Sequence, residues 1–132
     1  MLTMVRPRLL LIDEEPHLAA FVYNAGELSG YAAQIANGDD DFRGQFDRDR
    51  PAVVALDLGM PGSDGVELLR FLAERAFGGP VLIISGFDRR VLDSAFRLGE
   101  ALGLRMVGPL EKPTRLEVLE DLLTELKPTL AQ

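Results

Sequence analysis

Apolar residues in this chain come in short unbroken runs, and each run is followed by a helical pattern. Residues 9–12 (LLLI), 53–56 (VVAL) and 81–84 (VLII) are continuously apolar. Unbroken apolarity over so few positions predicts strands buried on both faces. Residues 31–36 alternate weakly, as a strand near a sheet edge would, and residues 104–107 predict a fifth, shorter strand. Between the runs the period lengthens to that of a helix. Leu18, Phe21, Val22 and Ala25 place a helix over 16–29, opened by Pro16, weakened by Gly26 and closed by Gly30. Residues 39–49 are highly polar, with Phe42 and Phe46 as the only large apolar anchors, so a short and loosely held helix is expected, ended by Arg50-Pro51. Val66, Leu69, Ala73 and Ala76 predict a third helix over 65–76. Asp88 is the candidate N-cap of a fourth, carrying Val91, Ala95, Leu98 and Leu102. Glu111-Lys112-Pro113 reads as a loop, Thr114 as the cap of a fifth helix striped by Leu116, Leu119, Leu123 and Leu126, and Lys127-Pro128 as its stop. Strands alternating with helices in this way predict an α/β fold, a five-stranded parallel sheet covered on both faces with right-handed crossovers.

Composition narrows the function. The 132 residues suit one domain, with a core over about 8–126 and a tail at 127–132. A net charge of −7 argues against non-specific binding to nucleic acid or to an anionic membrane. The absence of cysteine excludes disulfides, thiol catalysis and zinc thiolate sites. The apolar runs are too short to span a bilayer, and the N-terminal stretch lacks a small-residue cleavage site, so a cytoplasmic location is expected.

The chemistry gathers around residues 52–65, AVVALDLGMPGSDG, where an apolar run breaks at one carboxylate, Asp57. In open parallel sheets the C-terminal ends of the strands form the rim where ligands bind. Four of the expected strands end there in polar residues: Asp13-Glu14, Asp57, Ser85, and Lys112 just beyond the fifth. Three crowded carboxylates repel, which raises at least one pKa unless a cation intervenes. Mg²⁺, a hard ion that pairs one or two carboxylates with waters and a phosphate, suits such a set. Lys112 supplies a mobile positive charge and Ser85 a hydroxyl, and together they can stabilise a phosphoryl group in transit. The Asp57 carboxylate can itself be the nucleophile, giving an acyl phosphate. Blander readings stand beside these: Asp13 and Glu14 as a solvated strand end, Asp57 and Asp64 as turn residues, Ser85 and Lys112 as ordinary surface groups. His17, the one histidine, reads as an exposed first-turn residue, and Asp39-Asp40-Asp41 as a solvated charge run. Arg89, Arg90 and Arg97 are either exposed helical arginines or a surface for an acidic partner.

The motifs LLLIDEEP, ALDLGMPGSDG, VLIISG and LEKP, in that order and at these separations, resemble the receiver domains of two-component response regulators, of the chemotaxis-regulator type. The resemblance covers nearly the whole chain. It implies a doubly wound, flavodoxin-like sheet with strand order 2-1-3-4-5. It implies that Asp57 is the phosphoacceptor, that Asp13 and Glu14 hold Mg²⁺ with Asp57 and the backbone carbonyl of Gly59, that Ser85 is the switch hydroxyl, that Lys112 binds the phosphate, and that the Lys112–Pro113 bond is cis. The implied reaction moves a phosphoryl group from a histidine kinase or phosphotransfer protein to Asp57, followed by slow self-catalysed hydrolysis; the chain acts as a signalling domain, not an enzyme.

One position departs from that pattern. Receivers usually carry Tyr or Phe three residues before the lysine, and here that residue is Pro109, with a fixed φ and no ring to swing. The usual relay is then absent, and signalling is expected to use backbone shifts of the fourth helix and its flanking loops. Phe87, two residues past Ser85, is expected to exclude water and lengthen the life of the acyl phosphate. The fourth helix, fifth strand and fifth helix form the expected partner or homodimer face. Residues 86–105 and LEKP resemble receivers that precede cyclic-di-GMP phosphodiesterase domains, so the chain is either a stand-alone regulator or part of a longer protein with a fused output domain. Two other classes remain: a degenerate receiver that binds partners without phosphorylation, which Pro109 keeps open, and a Mg²⁺-dependent aspartyl phosphohydrolase, disfavoured because Gly59 stands where an acid/base aspartate would be needed.

Overall fold

The structure, a computed structural model, describes residues 6–13, 16–57, 65–85, 89–111 and 115–130. Five strands alternate with five helices: β1 (Arg8–Ile12), α1 (Pro16–Leu28), β2 (Ala32–Ala36), α2 (Asp39–Arg48), β3 (Val53–Asp57), α3 (Gly65–Glu74), β4 (Pro80–Ser85), α4 (Arg89–Ala101), β5 (Arg105–Glu111) and α5 (Leu116–Leu130). All strand pairs are parallel and the order is β2-β1-β3-β4-β5. The expected doubly wound sheet is therefore present.

The alternation of each strand sorts its side chains between two cores. Leu10, Ile12, Val54, Leu56, Val81 and Ile83 pack with α2, α3 and α4. Leu9, Leu11, Val53, Ala55, Leu82 and Ile84 pack with α1 and α5. Because both faces are covered, the central strands read as unbroken apolar runs. At the β2 edge, Glu27 Oε2 accepts from the Ala33 N–H at 2.9 Å and Gln45 Nε2 donates to the Ile35 carbonyl at 3.5 Å. These side chains occupy polar groups that an exposed edge would offer to another strand.

Several expectations change. The second helix is not loosely held: Phe42 and Phe46 are fully buried and meet Phe71 and Phe77 ring to ring, with Phe46 at 5.4 and 5.5 Å from the latter two. The guanidiniums of Arg43 and Arg75 lie over Phe71, and that of Arg50 over Phe46. Nor is its acidic start a plain solvated run, because Asp41 Oδ2 accepts from the Asn37 N–H at 2.7 Å and from Gln45 Nε2 at 2.9 Å. In α3 the buried face is Leu68, Leu69, Phe71 and Leu72; Val66 is exposed and Ala76 lies beyond the helix at φ 54°. Gly26 serves packing: a Cβ there would sit 2.6 Å from Leu9 Cδ2, so any larger residue would force the buried Leu9 side chain to move. The fifth helix runs past Lys127-Pro128 to Leu130, since a proline this near a C-terminus removes little of the hydrogen-bond ladder.

The largest correction concerns β5. It spans seven residues, not four, and takes in Pro109, Leu110 and Glu111. Its register with β4 shifts between Leu82 and Ile84, a bulge that lets the strand continue through a proline. The Gly108–Pro109 peptide is cis. The Lys112–Pro113 bond, the caps Asp88 and Thr114, and Asp64 lie outside the described residues.

Candidate functional site

Strand register brings the expected chemistry to one edge of the sheet. Ile12 is paired with Leu56, so Asp13 and Asp57 follow side by side at the C-terminal ends of adjacent strands, which lie about 4.8 Å apart. Both continue the parity of the residues facing α1: Leu9 and Leu11 lead to Asp13, and Val53 and Ala55 lead to Asp57. Asp57 ends β3 and is only 7% exposed, an unusual place for a carboxylate. Asp13 is half-buried. The two line a small, partly open cleft of about 10 Å³, room for roughly one water, whose other walls are Leu11, Ile12, Val22, Ala55, Leu56 and Ile84.

Across the rim, Asp57 is level with Ile84, so Ser85 stands one residue further along β4, and Ser85 is paired with Glu111 of β5. The backbone thus brings Asp13, Asp57 and Ser85 to one edge. Glu14, Gly59, Lys112 and Phe87 lie outside the described residues; Lys112 follows Glu111 directly in the chain. Among the described residues no group of three or more His, Cys, Asp or Glu gathers as a metal cluster; the carboxylates here form a pair. The only polar side chains among the residues lining the cleft are the two carboxylates, Asp13 and Asp57, oxygen donors that suit a hard divalent cation better than a softer one.

Three features of this edge escaped the sequence reading. The apolar floor beneath the carboxylates, Leu11, Val22, Ala55 and Ile84, was readable only by carrying strand parity through to Asp13 and Asp57. Glu111 belongs to the rim as a strand residue, not to a loop. The bulge at Gly108-Pro109 had a signal in the dipeptide itself, since glycine and proline inside a strand mark such irregularities. His17 is exposed in the first turn of α1, and Arg90 and Arg97 are exposed on α4. Among the described residues no helix is long and apolar enough to cross a membrane.

Residues 9–124 match the response regulator receiver domain family, so the chain belongs to the receiver domains of two-component response regulators. A C4-dicarboxylate transport transcriptional regulatory protein of Pseudomonas aeruginosa is 41% identical over 83 residues, 60% of this chain and 17% of that protein. The positive alginate biosynthesis regulatory protein of the same species is 33% identical over 121 residues, 86% of this chain and 44% of that protein. The chain thus spans less than half the length of these relatives. Among solved structures, a response regulator from Colwellia psychrerythraea superposes with a TM-score of 0.79 at 27% identity, covering 95% of this chain and 99% of that one.

Proposed function

We propose that this receiver takes a phosphoryl group on Asp57 with the help of Mg²⁺ and uses the change to switch protein interactions. The observation that carries the reading is the buried carboxylate of Asp57 at the end of the central strand, beside Asp13 in a small, partly open cleft. A carboxylate oxygen of Asp57 attacks phosphorus on a partner's phosphohistidine. The P–N bond breaks, an O–P bond forms, and the imidazole leaves with the electron pair and takes a proton from water. Asp13, Asp57, Glu14 and the Gly59 carbonyl would hold Mg²⁺, which when bound supplies positive charge to the phosphoryl oxygens. Ser85 and Lys112 donate to those same oxygens. The floor of Leu11, Val22, Ala55 and Ile84 keeps water from the inner side of Asp57.

Donor and output follow from the same reading. The donor is a cytoplasmic histidine kinase or phosphotransfer protein, and the target is a separate protein or an output domain fused to this one; a cyclic-di-GMP phosphodiesterase is the specific candidate for the latter. The face of α4, β5 and α5 serves as the partner or homodimer surface, where Arg90, Arg97 and Arg105 stand exposed with Glu117, Asp121 and Glu125.

Incubation with acetyl phosphate and Mg²⁺, read by intact mass, tests the proposal. One stable phosphoryl adduct, lost in Asp57→Asn and on chelation of the metal, is the expected result. No adduct identifies a degenerate receiver, and turnover of a small phosphoester identifies a phosphohydrolase.

A further inference from the structure

The two edges of the sheet are guarded in different ways. β5 carries Arg105, Pro109 and Glu111 within the strand, and its pairing with β4 is interrupted by a bulge. Charges, prolines and bulges are the common means by which an edge strand is kept from pairing with another chain. β2, at the other end of the sheet, has none of these. Its sequence is AAQIA, with no charge and no proline, and its register with β1 runs without a shift. By itself it would be an uncharged template for a further strand.

The protection comes from side chains of neighbouring segments. The Ala32 N–H points to β1, where the Pro7 carbonyl accepts it at 2.8 Å. Backbone direction alternates along a strand, so residues 31, 33, 35 and 37 turn their N–H and C=O groups to the open side. There Arg6 Nη2 donates to the Tyr31 carbonyl, and Glu27 Oε2 accepts from the Ala33 N–H at 2.9 Å. Gln45 Nε2 reaches the Ile35 carbonyl at 3.5 Å, and Asp41 Oδ2 accepts from the Asn37 N–H at 2.7 Å. Donor and acceptor thus alternate along the edge, as the backbone of another strand would present them. The four are also tied in pairs: Arg6 holds Glu27 at 2.8 Å, and Gln45 donates to Asp41 at 2.9 Å.

We propose that Arg6, Glu27, Asp41 and Gln45 form a strand-mimicking cover over a self-association edge: without them, β2 pairs with β2 of a second copy of this chain, antiparallel across a two-fold axis. A second copy is the fitting partner because a two-fold axis sets the same strand against itself, so each N–H and C=O finds its complement, and the uncharged side chains of β2 do not repel their own kind. With the cover in place, a second strand finds these groups occupied and would have to displace two carboxylates and a guanidinium. Association is then left to the helical faces. The inference is independent of the phosphoacceptor reading.

Sedimentation velocity and site-resolved amide exchange on the full chain test this, with circular dichroism and urea melts reporting folding. Glu27→Ala with Asp41→Ala removes both carboxylates and leaves Gln45 without its anchor. The mass of this double variant should rise with concentration from the parent's value toward that of a dimer of it. Its Ala33 N–H, now lacking an acceptor, should exchange faster than the parent's when dilute and slow down as the dimer fills. Glu27→Gln keeps an oxygen for the Ala33 N–H and should keep the parent's mass. Adding Ala33→Pro to the double variant removes an N–H that a second strand needs while sparing the ladder to β1, and the parent's mass should return. Non-specific aggregation predicts no such return. Glu27→Ala alone should show a weaker form of the same association, and it decides the matter if the double variant does not fold. A folded double variant with the parent's mass at every concentration overturns the proposal, as does a dimer that survives Ala33→Pro. Where only the single variant folds, the parent's mass in Glu27→Ala overturns it. Glu27→Gln associating as readily as Glu27→Ala overturns it too, since charge alone would then be the guard.

Discussion

Tyr31 ties the end of α1 and the edge strand to α5, and its hydroxyl offers a test with a change of sign. The side chain is fully buried, and its hydroxyl donates to the Leu123 carbonyl at 2.7 Å. Tyr31→Phe keeps the ring and removes that bond, at a cost of about 1 kcal/mol near neutral pH. Burial also pushes the phenol up to about 12 from 10.0, because the phenolate would have to form away from water. A group whose folded pKa lies above its unfolded value contributes stability fully below the unfolded pKa and loses it as pH rises through the folded one. Wild type should therefore lose about 2 kcal/mol between pH 10 and 12 that Tyr31→Phe does not lose. The two proteins should be equally stable at roughly pH 10.5–11, with the variant the more stable above that. Urea melts of both from pH 7 to 11.5 measure the difference, and other alkaline titrations cancel between them. A gap that stays constant over the whole range would refute the reasoning and with it the seating of Tyr31 against α5.

Phe46 stands at the centre of the aromatic cluster under α2, so Phe46→Ala should cost about 3–5 kcal/mol in a denaturant melt; a loss under about 1 kcal/mol would mean that α2 is held as loosely as its polar sequence suggests. If the backbone carries the response with Pro109 where receivers usually carry a ring, binding of a phosphoryl mimic should still change amide hydrogen exchange in α4 and in β5. Exchange that stays unchanged in both elements would sink that idea.

The strands were legible in the chain because a sheet covered on both faces needs unbroken apolar runs, and residues 9–12, 53–56 and 81–84 can be little else. The site was legible for a related reason: a carboxylate that ends such a run has nowhere to go but the rim. Which side they face was not read from the chain: the packing of Leu9 and Leu11, and of Val53 and Ala55, against α1 and α5 puts Asp13 and Asp57 on the same side. The path of β5 was not legible in the same way, since periodicity stops at Val107 and only pairing with Ile83 and Ile84 shows where the extra residue goes. The firmness of α2 was hidden too. Phe42 and Phe46 are two apolar positions in a polar helix until Phe71 and Phe77 arrive from α3 and the segment after it. Gly26 looked like a weakness in α1 and became a tight packing contact once Leu9 lay against it.

Local pattern thus settles which segments are strands, which face of each is apolar, and which acids end them, because those properties depend on neighbours in the chain. Register, anchoring and the seat of each glycine depend on partners far away in sequence, and those contacts exist only after the layers have packed.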